Sequence, residues 1–210
     1  MLIVIDGGDG AGKGTCISKL SQYLKERGFD VIVTREPGGT VIGERIRELI
    51  LDKSVSEMTS TTELLLFAAA RAQHVEEKIV PAINAGKIVI SDRFSSATVS
   101  FQHYARGLPF ALIEELNRIS VSGLEPSMTI VLDIDPRIGL SRVSRRGEGF
   151  DRIEKENIDF LERARNGYIQ QAKRDPDRFS IIDATLSPDE VFAKVCQIVD
   201  NAIELGAKLN

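Results

Sequence analysis

Short runs of apolar, mostly β-branched residues recur along the chain, and most are followed by longer stretches with apolar residues at helical spacing. The runs are nearly continuous rather than alternating, which is typical of strands buried on both faces of a sheet. They predict strands at 2–6, 30–34, 87–91, 128–133 and 179–182. The helical spacing predicts helices at 13–27, 41–51, 62–85, 109–122, 136–145, 155–174 and 188–205.

Strands that alternate with helices indicate a parallel sheet, because right-handed crossovers place the connecting helices on both of its faces. Gly28 and Gly86 stand where helix C-caps are expected, just before the second and third predicted strands. No repeat or linker interrupts the pattern. We therefore predict an α/β fold in which residues 1–210 form a single domain.

The composition is that of a globular chain, with 42% hydrophobic and 28% charged residues. A formal net charge of −4 gives no general attraction to nucleic acid or anionic membranes. The longest apolar stretches fall far short of the roughly 18 residues that a membrane-spanning helix needs, and the N-terminus lacks the basic region of a signal peptide. We expect a cytoplasmic protein that binds neither nucleic acid nor membranes, with Cys16 and Cys196 as reduced, largely buried thiols.

A glycine-rich segment, GGDGAGKGT, lies between the first predicted strand and the first predicted helix. Glycines let successive backbone N–H groups face phosphate oxygens, the helix N-terminus adds positive potential, and Lys13 supplies a mobile cation. The spacing fits the P-loop pattern, except that Gly14 stands where Ser or Thr is usual and Thr15 follows one place later. The segment predicts a nucleoside triphosphate site but leaves the reaction open. The predicted ATP-binding residues are Gly7, Gly8, Asp9, Gly10, Ala11, Gly12, Lys13, Gly14 and Thr15.

Three further segments place suitable side chains where open α/β sheets bind ligands. The turn TREPGGT at 34–40 follows the second predicted strand. Phe67 and Arg71 share a helix face, where they could stack on a base and donate to its exocyclic oxygen. Asp92 and Arg93 end the third strand and suit a Mg²⁺ water and a phosphate, respectively. Taken singly, each segment also has a plainer interpretation. TREPGGT fits an ordinary turn, Phe67 and Arg71 fit a core Phe beside a surface Arg, and Asp92 and Arg93 fit a surface ion pair.

Arginines and glycines cluster after the fourth predicted strand, between about 142 and 155. This composition is typical of a mobile lid that brings guanidinium groups onto transferring phosphates, although a solvated helix end is the plainer interpretation. The cluster comprises Arg142, Arg145, Arg146, Gly147, Gly149, Asp151 and Arg152.

The segments GGDGAGKGT, TREPGGT, LLFAAARAQH, SDRF with SFQ, LDIDP and RRGEGFDRIE together resemble the bacterial thymidylate kinases. The likeness spans nearly the whole chain, in the family's order and spacing. It implies a three-layer P-loop NTPase fold with a five-stranded parallel sheet and a short Arg-rich lid. It also implies a homodimer that uses ATP and Mg²⁺ to phosphorylate dTMP to dTDP.

The resemblance also implies roles for individual residues. In the acceptor site, Pro37 and Phe67 would flank thymine, Arg71 and Thr98 would contact its polar edge, and Arg93 would hold the monophosphate. The full set of acceptor-binding residues is Asp9, Glu36, Pro37, Phe67, Arg71, Arg93, Thr98, Phe101 and Gln102. The implied catalytic residues are Lys13, Asp92, Arg93, Arg146 and Arg152. Asp92 and Thr15 would hold Mg²⁺, directly or through water.

The chain departs from the family pattern at three places. Gly14 replaces a hydroxyl residue, Ala97 stands where Ser is common, and Phe101 replaces a Tyr. Phe101 lacks the phenolic hydroxyl that would reach the sugar, so we expect weaker discrimination between deoxyribose and ribose.

Three alternatives remain at the level of sequence. A related kinase could act on dUMP, a modified pyrimidine nucleotide or AMP. A P-loop NTPase switch or binding module would keep the phosphate site without an acceptor, and a kinase-like protein could serve assembly alone. The predicted second nucleotide pocket argues against the switch, which has no need of one.

Overall fold

Five parallel strands form one sheet in the computed structural model, which describes residues 1–145 and 150–208 and side chains as far as 204. The strands are β1 (Leu2–Gly7), β2 (Val31–Arg35), β3 (Ile88–Asp92), β4 (Met128–Asp133) and β5 (Phe179–Asp183). Their order across the sheet is β2-β3-β1-β4-β5. The predicted α/β fold with a parallel sheet is confirmed, and each predicted strand boundary lies within one residue of the observed one.

Helices cover both faces of this sheet. They are α1 (Lys13–Glu26), α2 (Val41–Leu51), α3 (Ser60–His74), α4 (Val80–Asn84), α5 (Ser95–Thr98), α6 (Phe110–Val121), α7 (Pro136–Ser144), α8 (Ile158–Arg174) and α9 (Pro188–Lys208). Two π-helical segments, π1 (Val75–Ile79) and π2 (Val99–Ala105), continue α3 and α5. Among the described residues, no helix combines the length and apolar character needed to cross a membrane.

The central strand β1 is buried on both faces, as its continuous apolar run predicts. Ile5 packs with Leu20 of α1 and Val195 of α9, whereas Val4 packs with Val75 of π1 on the opposite face. Because β3 and β4 flank β1 on opposite sides, a crevice opens at the carboxyl ends of these strands. This crevice is where the sequence places the P-loop and Asp92.

Two helix predictions differ from the structure in physically clear ways. The predicted helix 62–85 begins earlier, because the Thr59 side chain caps α3 by accepting from the Thr62 N–H, and it widens into π1 before α4. The predicted helix 155–174 begins later, at Ile158, because the Asn157 side chain accepts from the Phe160 N–H at 2.9 Å.

The helical segment from Ser95 to Ala105 was not predicted. Its first residues include Ser, Thr and Val, which have low helix propensity, so the local sequence gives little sign of a helix. Tertiary packing stabilises this helical segment instead. π2 lies against α8, and the Phe101 ring centroid is 6.3 Å from that of Tyr168.

The two cysteines are free thiols, as predicted. Cys16 is buried behind the P-loop and Cys196 is half-buried on α9. Burial raises the pKa of Cys16 to about 12, so this thiol stays protonated and unreactive.

Candidate active site

The loop between β1 and α1 has the shape that its glycines predict. Gly7 and Gly10 have φ angles of 129° and 74°, and a Cβ atom on them would lie 2.3 Å from the Leu132 carbonyl oxygen and 2.2 Å from that of Gly139. Only glycine fits such close backbone approaches. Among the described residues, no side chain caps the N-terminus of α1 at Gly12, so the first amides of that helix remain available to an anion.

Lys13 is folded back into this loop and is almost fully buried. Its Nζ donates to the carbonyl oxygens of Gly7 at 3.2 Å and Gly8 at 2.9 Å, and lies 3.8 Å from Asp9 Oδ1. Burial, followed by the nearby charge of Arg93, lowers the pKa of Lys13. The loop therefore holds a desolvated cation where the outer phosphates of a nucleotide would lie.

A cavity of about 560 Å³ extends from this loop along α3 and π2. Every acceptor residue implied by the family resemblance lines it, namely Asp9, Glu36, Pro37, Phe67, Arg71, Arg93, Thr98, Phe101 and Gln102. Lys13, Gly14, Thr15 and Asp92 line the same cavity. Of the predicted ATP-binding residues, Gly7, Gly8 and Ala11 are not among the lining residues. One cavity thus joins part of the phosphate cradle to a second nucleotide pocket.

Arg71 is 1% exposed and most of its N–H donors already have acceptors. Nε donates to Glu36 Oε2 at 2.7 Å, and Nη1 donates to Asn117 Oδ1 at 2.8 Å. Nη2 donates to the Phe94 carbonyl oxygen at 3.1 Å and to Thr98 Oγ1 at 2.9 Å. A guanidinium has five N–H donors, so among the described residues one Nη1–H has no acceptor and remains for a ligand.

Arg93 offers more to a ligand than Arg71 does. Its Nη1 donates to the Gly7 carbonyl oxygen and the Tyr168 hydroxyl, both at 3.0 Å, and its Nη2 donates to Asp9 Oδ1 at 2.6 Å. Within the described part of the chain, Nε–H and one Nη2–H find no acceptor. Two N–H groups on one guanidinium suit a phosphate, which accepts several hydrogen bonds.

Asp92 has a buried carboxylate oxygen, Oδ1, without a hydrogen-bond partner among the described residues. Such an orphaned acceptor is costly unless a cation or its water satisfies it. Thr15, which carries a hydroxyl oxygen, lines the same cavity, and oxygen ligands are what Mg²⁺ prefers. The described residues hold no cluster of three or more metal-ligating side chains. These residues therefore fit Mg²⁺.

The two candidate lid arginines are placed differently. Arg152 Nε donates to the Ile50 carbonyl oxygen at 2.7 Å, and its Nη2 pairs with Glu63. Its neighbours Asp151 and Ile153 line the cavity, whereas Arg152 is not among the lining residues. Arg146 lies outside the described residues.

Sequence reasoning missed two residues that the structure brings to the site. Arg47 of α2 lines the cavity and its Nη1 donates to the Pro37 carbonyl oxygen at 2.8 Å, while burial lowers its pKa. Its spacing from the buried Gly43 and Ile50 puts it on an inward face, which the sequence could have indicated.

The second residue is Tyr168 of α8. Its hydroxyl donates to the fully buried Asp6 Oδ1 at 2.5 Å and accepts from Arg93. Tyr168 continues the buried helical stripe of Phe160 and Ala164, and a tyrosine on such a stripe signals a buried hydrogen-bond partner.

The fold and the cavity together define a class of protein. A P-loop at the crevice of a parallel sheet, opening onto a second pocket with an aromatic wall and several arginines, is the arrangement of a P-loop nucleotide kinase.

Comparison with known proteins narrows this class. The family model described as thymidylate kinase matches residues 5–195. The thymidylate kinase of Geobacillus sp. (strain WCH70) is 48% identical over 200 residues, covering 95% of both chains. That of Geobacillus thermodenitrificans is 46% identical over 204 residues, covering 97% of this chain and 90% of its own. The chain belongs to the thymidylate kinase family.

A solved structure agrees with this relationship. The crystal structure of thymidylate kinase from Ehrlichia chaffeensis has a TM-score of 0.77 and 31% identity, covering 95% of this chain and 98% of that one. The family and the P-loop kinase fold inferred from the sequence motifs are confirmed, and the switch, binding-module and assembly alternatives are not favoured.

Proposed function

We propose that this chain transfers the γ-phosphoryl group of ATP to the 5′-phosphate of dTMP, forming ADP and dTDP. The observation that carries the proposal is the single cavity that contains both the P-loop lysine and the complete set of expected acceptor residues. Membership of the thymidylate kinase family supports the same reaction.

Positioning and charge neutralisation account for the catalysis. An oxygen of the dTMP phosphate attacks the γ-phosphorus while the bond to the ADP oxygen breaks, and the attacking group is already an anion, so no strong general base is required. Lys13, buried within the phosphate loop, would offset charge on the donor phosphates. Arg93 and Arg47 would hold the acceptor phosphate, because both arginines line the cavity together with the expected acceptor residues.

Thymine recognition would depend on the one N–H donor of Arg71 that has no acceptor among the described residues. One uncommitted Nη1–H suits a single acceptor such as the exocyclic O4 of thymine, whereas the amino group of cytosine would bring a donor against a donor. Phe67 and Pro37, which line the cavity, would flank the ring. Thr98 Oγ1 accepts a hydrogen bond from Arg71 Nη2 at 2.9 Å. Thr98 would therefore contact the edge of the base next to Arg71.

We also propose Mg²⁺ as the metal cofactor, held by Asp92 and Thr15 directly or through water. The orphaned Oδ1 of Asp92 supports this assignment. When bound, Mg²⁺ would neutralise charge on the nucleotide phosphates. Arg146 and Arg152 remain the proposed lid arginines, and Arg152 would have to leave Glu63 to reach a phosphate.

A homodimer is the proposed assembly, with a second copy of the chain covering an apolar face on α2, α3 and α6. These helices pack side by side, α3 between the other two. They expose large apolar side chains, Ile42, Leu49, Leu65, Leu112 and Ile119, of which Leu65 is 50% and Ile119 55% exposed. We further propose a single domain over residues 1–210 and a cytoplasmic location, where ATP and dTMP are found.

A panel of acceptors tests the proposed reaction. Release of ADP is measured with ATP, Mg²⁺ and each of dTMP, dUMP, dCMP, UMP and AMP in turn. We expect the highest kcat/KM with dTMP. A clear preference for dUMP or AMP would indicate a related kinase of different specificity, and release of ADP at the same rate without any acceptor would indicate an NTPase.

A further inference from the structure

His74 lies directly behind the proposed thymine pocket, and the mechanism above does not use it. It is fully buried in the last turn of α3, one turn after Arg71. Its ring contacts the TREPGGT turn at both nitrogens: Nε2 is 2.6 Å from Thr34 Oγ1, and Nδ1 is 3.0 Å from Glu36 Oε1.

The position of the imidazole proton follows from these partners. Glu36 Oε2 accepts from Arg71 Nε at 2.7 Å in a buried ion pair, and the carboxylate of such a pair can only accept hydrogen bonds. Nδ1 of His74 must therefore carry a proton that it donates to Glu36. In the neutral ring Nε2 is then an acceptor, which the Thr34 hydroxyl satisfies.

The turn is shaped around this ring. Gly39 has φ +85°, and a Cβ atom on it would lie 2.6 Å from His74 Nε2 and 2.8 Å from Thr34 Oγ1. The backbone of the turn thus packs closely against the imidazole and helps to hold it in place.

His74 constrains how Glu36 can pair with Arg71. With Oε1 on His74, Glu36 contacts the guanidinium through Oε2 alone. A carboxylate released from His74 could take Nε and Nη2 together in a side-on fork, which is the favoured geometry of such pairs. That change would move Nη2 away from Phe94 and Thr98. It would also rotate the guanidinium, so that the Nη1–H without an acceptor would no longer be directed at the base.

We propose that His74 is a positioning residue for base recognition: its Nδ1–H holds Glu36 so that the Arg71 guanidinium keeps one donor directed at the base. The inference rests on the proposed function, because it assigns the Arg71 donor to the exocyclic oxygen of thymine. His74 acts through Glu36 and Arg71 and does not itself contact the nucleotide.

Two matched variants test the role. His74→Asn can keep a donor near the Nδ1 position, whereas His74→Gln places its amide near Nε2 and loses the donor to Glu36. We expect His74→Gln to raise KM for dTMP about tenfold, the scale of one hydrogen bond to a charged group, with KM for ATP unchanged. His74→Asn should stay within about threefold of the parent, and preference for dTMP over dCMP should fall in His74→Gln only. Equal effects of the two variants, or equal rises in both KM values, would overturn the proposal.

A spectroscopic readout separates this inference from the proposed function. The chain has two histidines, so the His74 ring nitrogens can be assigned in ¹⁵N NMR spectra by comparison with His74→Asn. We expect Nδ1 to be protonated at neutral pH in the protein without nucleotide. An unprotonated Nδ1 would overturn the role of His74 whatever the substrate. A protonated Nδ1 in a protein that does not turn over dTMP would overturn the proposed function, and with it the thymine assignment, while the hydrogen bond from His74 to Glu36 would stand.

Discussion

Arg71, which is buried, and Arg93, which is half-buried, line the same cavity and differ in the number of N–H donors that they leave for a ligand. Arg71 has acceptors for four of its N–H donors, drawn from Glu36, Asn117, Phe94 and Thr98. Arg93 keeps two donors without acceptors among the described residues. The number of uncommitted donors therefore suits Arg71 to a carbonyl oxygen and Arg93 to a phosphate.

Replacing Lys13 tests the phosphate cradle. Lys13→Ala removes the buried cation, and we expect kcat to fall by a factor on the order of hundreds, the scale for losing one preorganised electrostatic partner. Lys19→Ala, on the same helix but paired with the exposed Asp189, is the control and should keep normal turnover. Steady-state ADP release gives both values, and near-normal turnover in Lys13→Ala would contradict its role.

Replacing Phe101 tests sugar discrimination. Phe101→Tyr adds a hydroxyl at the proposed sugar side of the cavity, and we expect the ratio of kcat/KM for dUMP to that for UMP to rise by about tenfold. Using dUMP and UMP isolates the 2′-hydroxyl from the 5-methyl group. The same ratio in both proteins would mean that Phe101 does not limit discrimination.

At the scale of single residues, the sequence predicts which side chains lie in the cavity but not which hydrogen-bond partners they have. The spacing of Phe67 and Arg71 correctly puts both on the cavity side of α3. The hydrogen-bond acceptors of Arg71 lie in the TREPGGT turn, in α6 and in the segment around Phe94. These elements are distant in sequence, so no local pattern predicts the hydrogen bonds. Arg152 is the reverse case, since its motif implies a phosphate contact and the fold pairs it with Glu63.

At the scale of elements, α3 joins the base pocket to the segment around Arg152. Glu63, in its first turn, is 1% exposed and gathers Arg106, Arg152 and Gln102 around one carboxylate. Burial opposes its charge, but hydrogen bonds from Arg106 and Arg152 outweigh burial and lower the pKa of Glu63. The pairing thus fixes residue 152 to the helix that carries Phe67 and Arg71.

Glu63→Gln tests this junction. Because the folded-state pKa is lowered, the stabilisation is present above the unfolded-state value and is lost as pH falls through the folded-state value. We expect the variant to lose about 3 kcal/mol of unfolding free energy at pH 7, the scale for breaking a buried ion pair.

Chemical denaturation from pH 7 down to pH 3 measures the effect. The deficit of Glu63→Gln relative to the parent should shrink in acid, and a deficit independent of pH would contradict the assignment. Glu156→Gln, which removes only the outer partner of Arg106, is the control and should cost under about 1 kcal/mol.

The least predictable element is the helical segment 95–105. The sequence predicts strands and amphipathic helices well. Burial on both faces of a strand requires a continuous apolar run, and burial of one helix face requires apolar residues at helical spacing. Segment 95–105 depends on packing against α8 instead, and it carries Thr98, Phe101 and Gln102. Their roles were inferred from the family resemblance rather than from any local helix signal.

At the scale of the whole molecule, the described part of this acidic chain places basic and acidic side chains in equal number around its cavity. Among the described residues, the lining contains five basic side chains (Lys13, Arg35, Arg47, Arg71 and Arg93) and five acidic ones (Asp9, Glu36, Asp92, Asp151 and Glu154). Net charge therefore does not explain how an anionic ligand would bind. Uncommitted donors on Arg93, the amides of the P-loop and the buried Lys13 offer a better explanation.

The apolar face on α2, α3 and α6 leads to a prediction about assembly. Leu65→Glu and Ile119→Glu place charges within that face, and we expect either to convert a dimer into a monomer by light scattering after gel filtration. Ile181→Glu, on the edge strand β5 and 43% exposed, is the control and should leave the dimer intact. A parent protein that is monomeric at micromolar concentration would contradict the proposed homodimer.

Direct product analysis tests the central claim most closely. The protein is incubated with equimolar ATP and dTMP in the presence of Mg²⁺, and the nucleotides and phosphate are quantified by chromatography and ³¹P NMR. The account predicts that dTDP and ADP form in equal amounts, without free phosphate. Formation of ADP and inorganic phosphate without dTDP would contradict it.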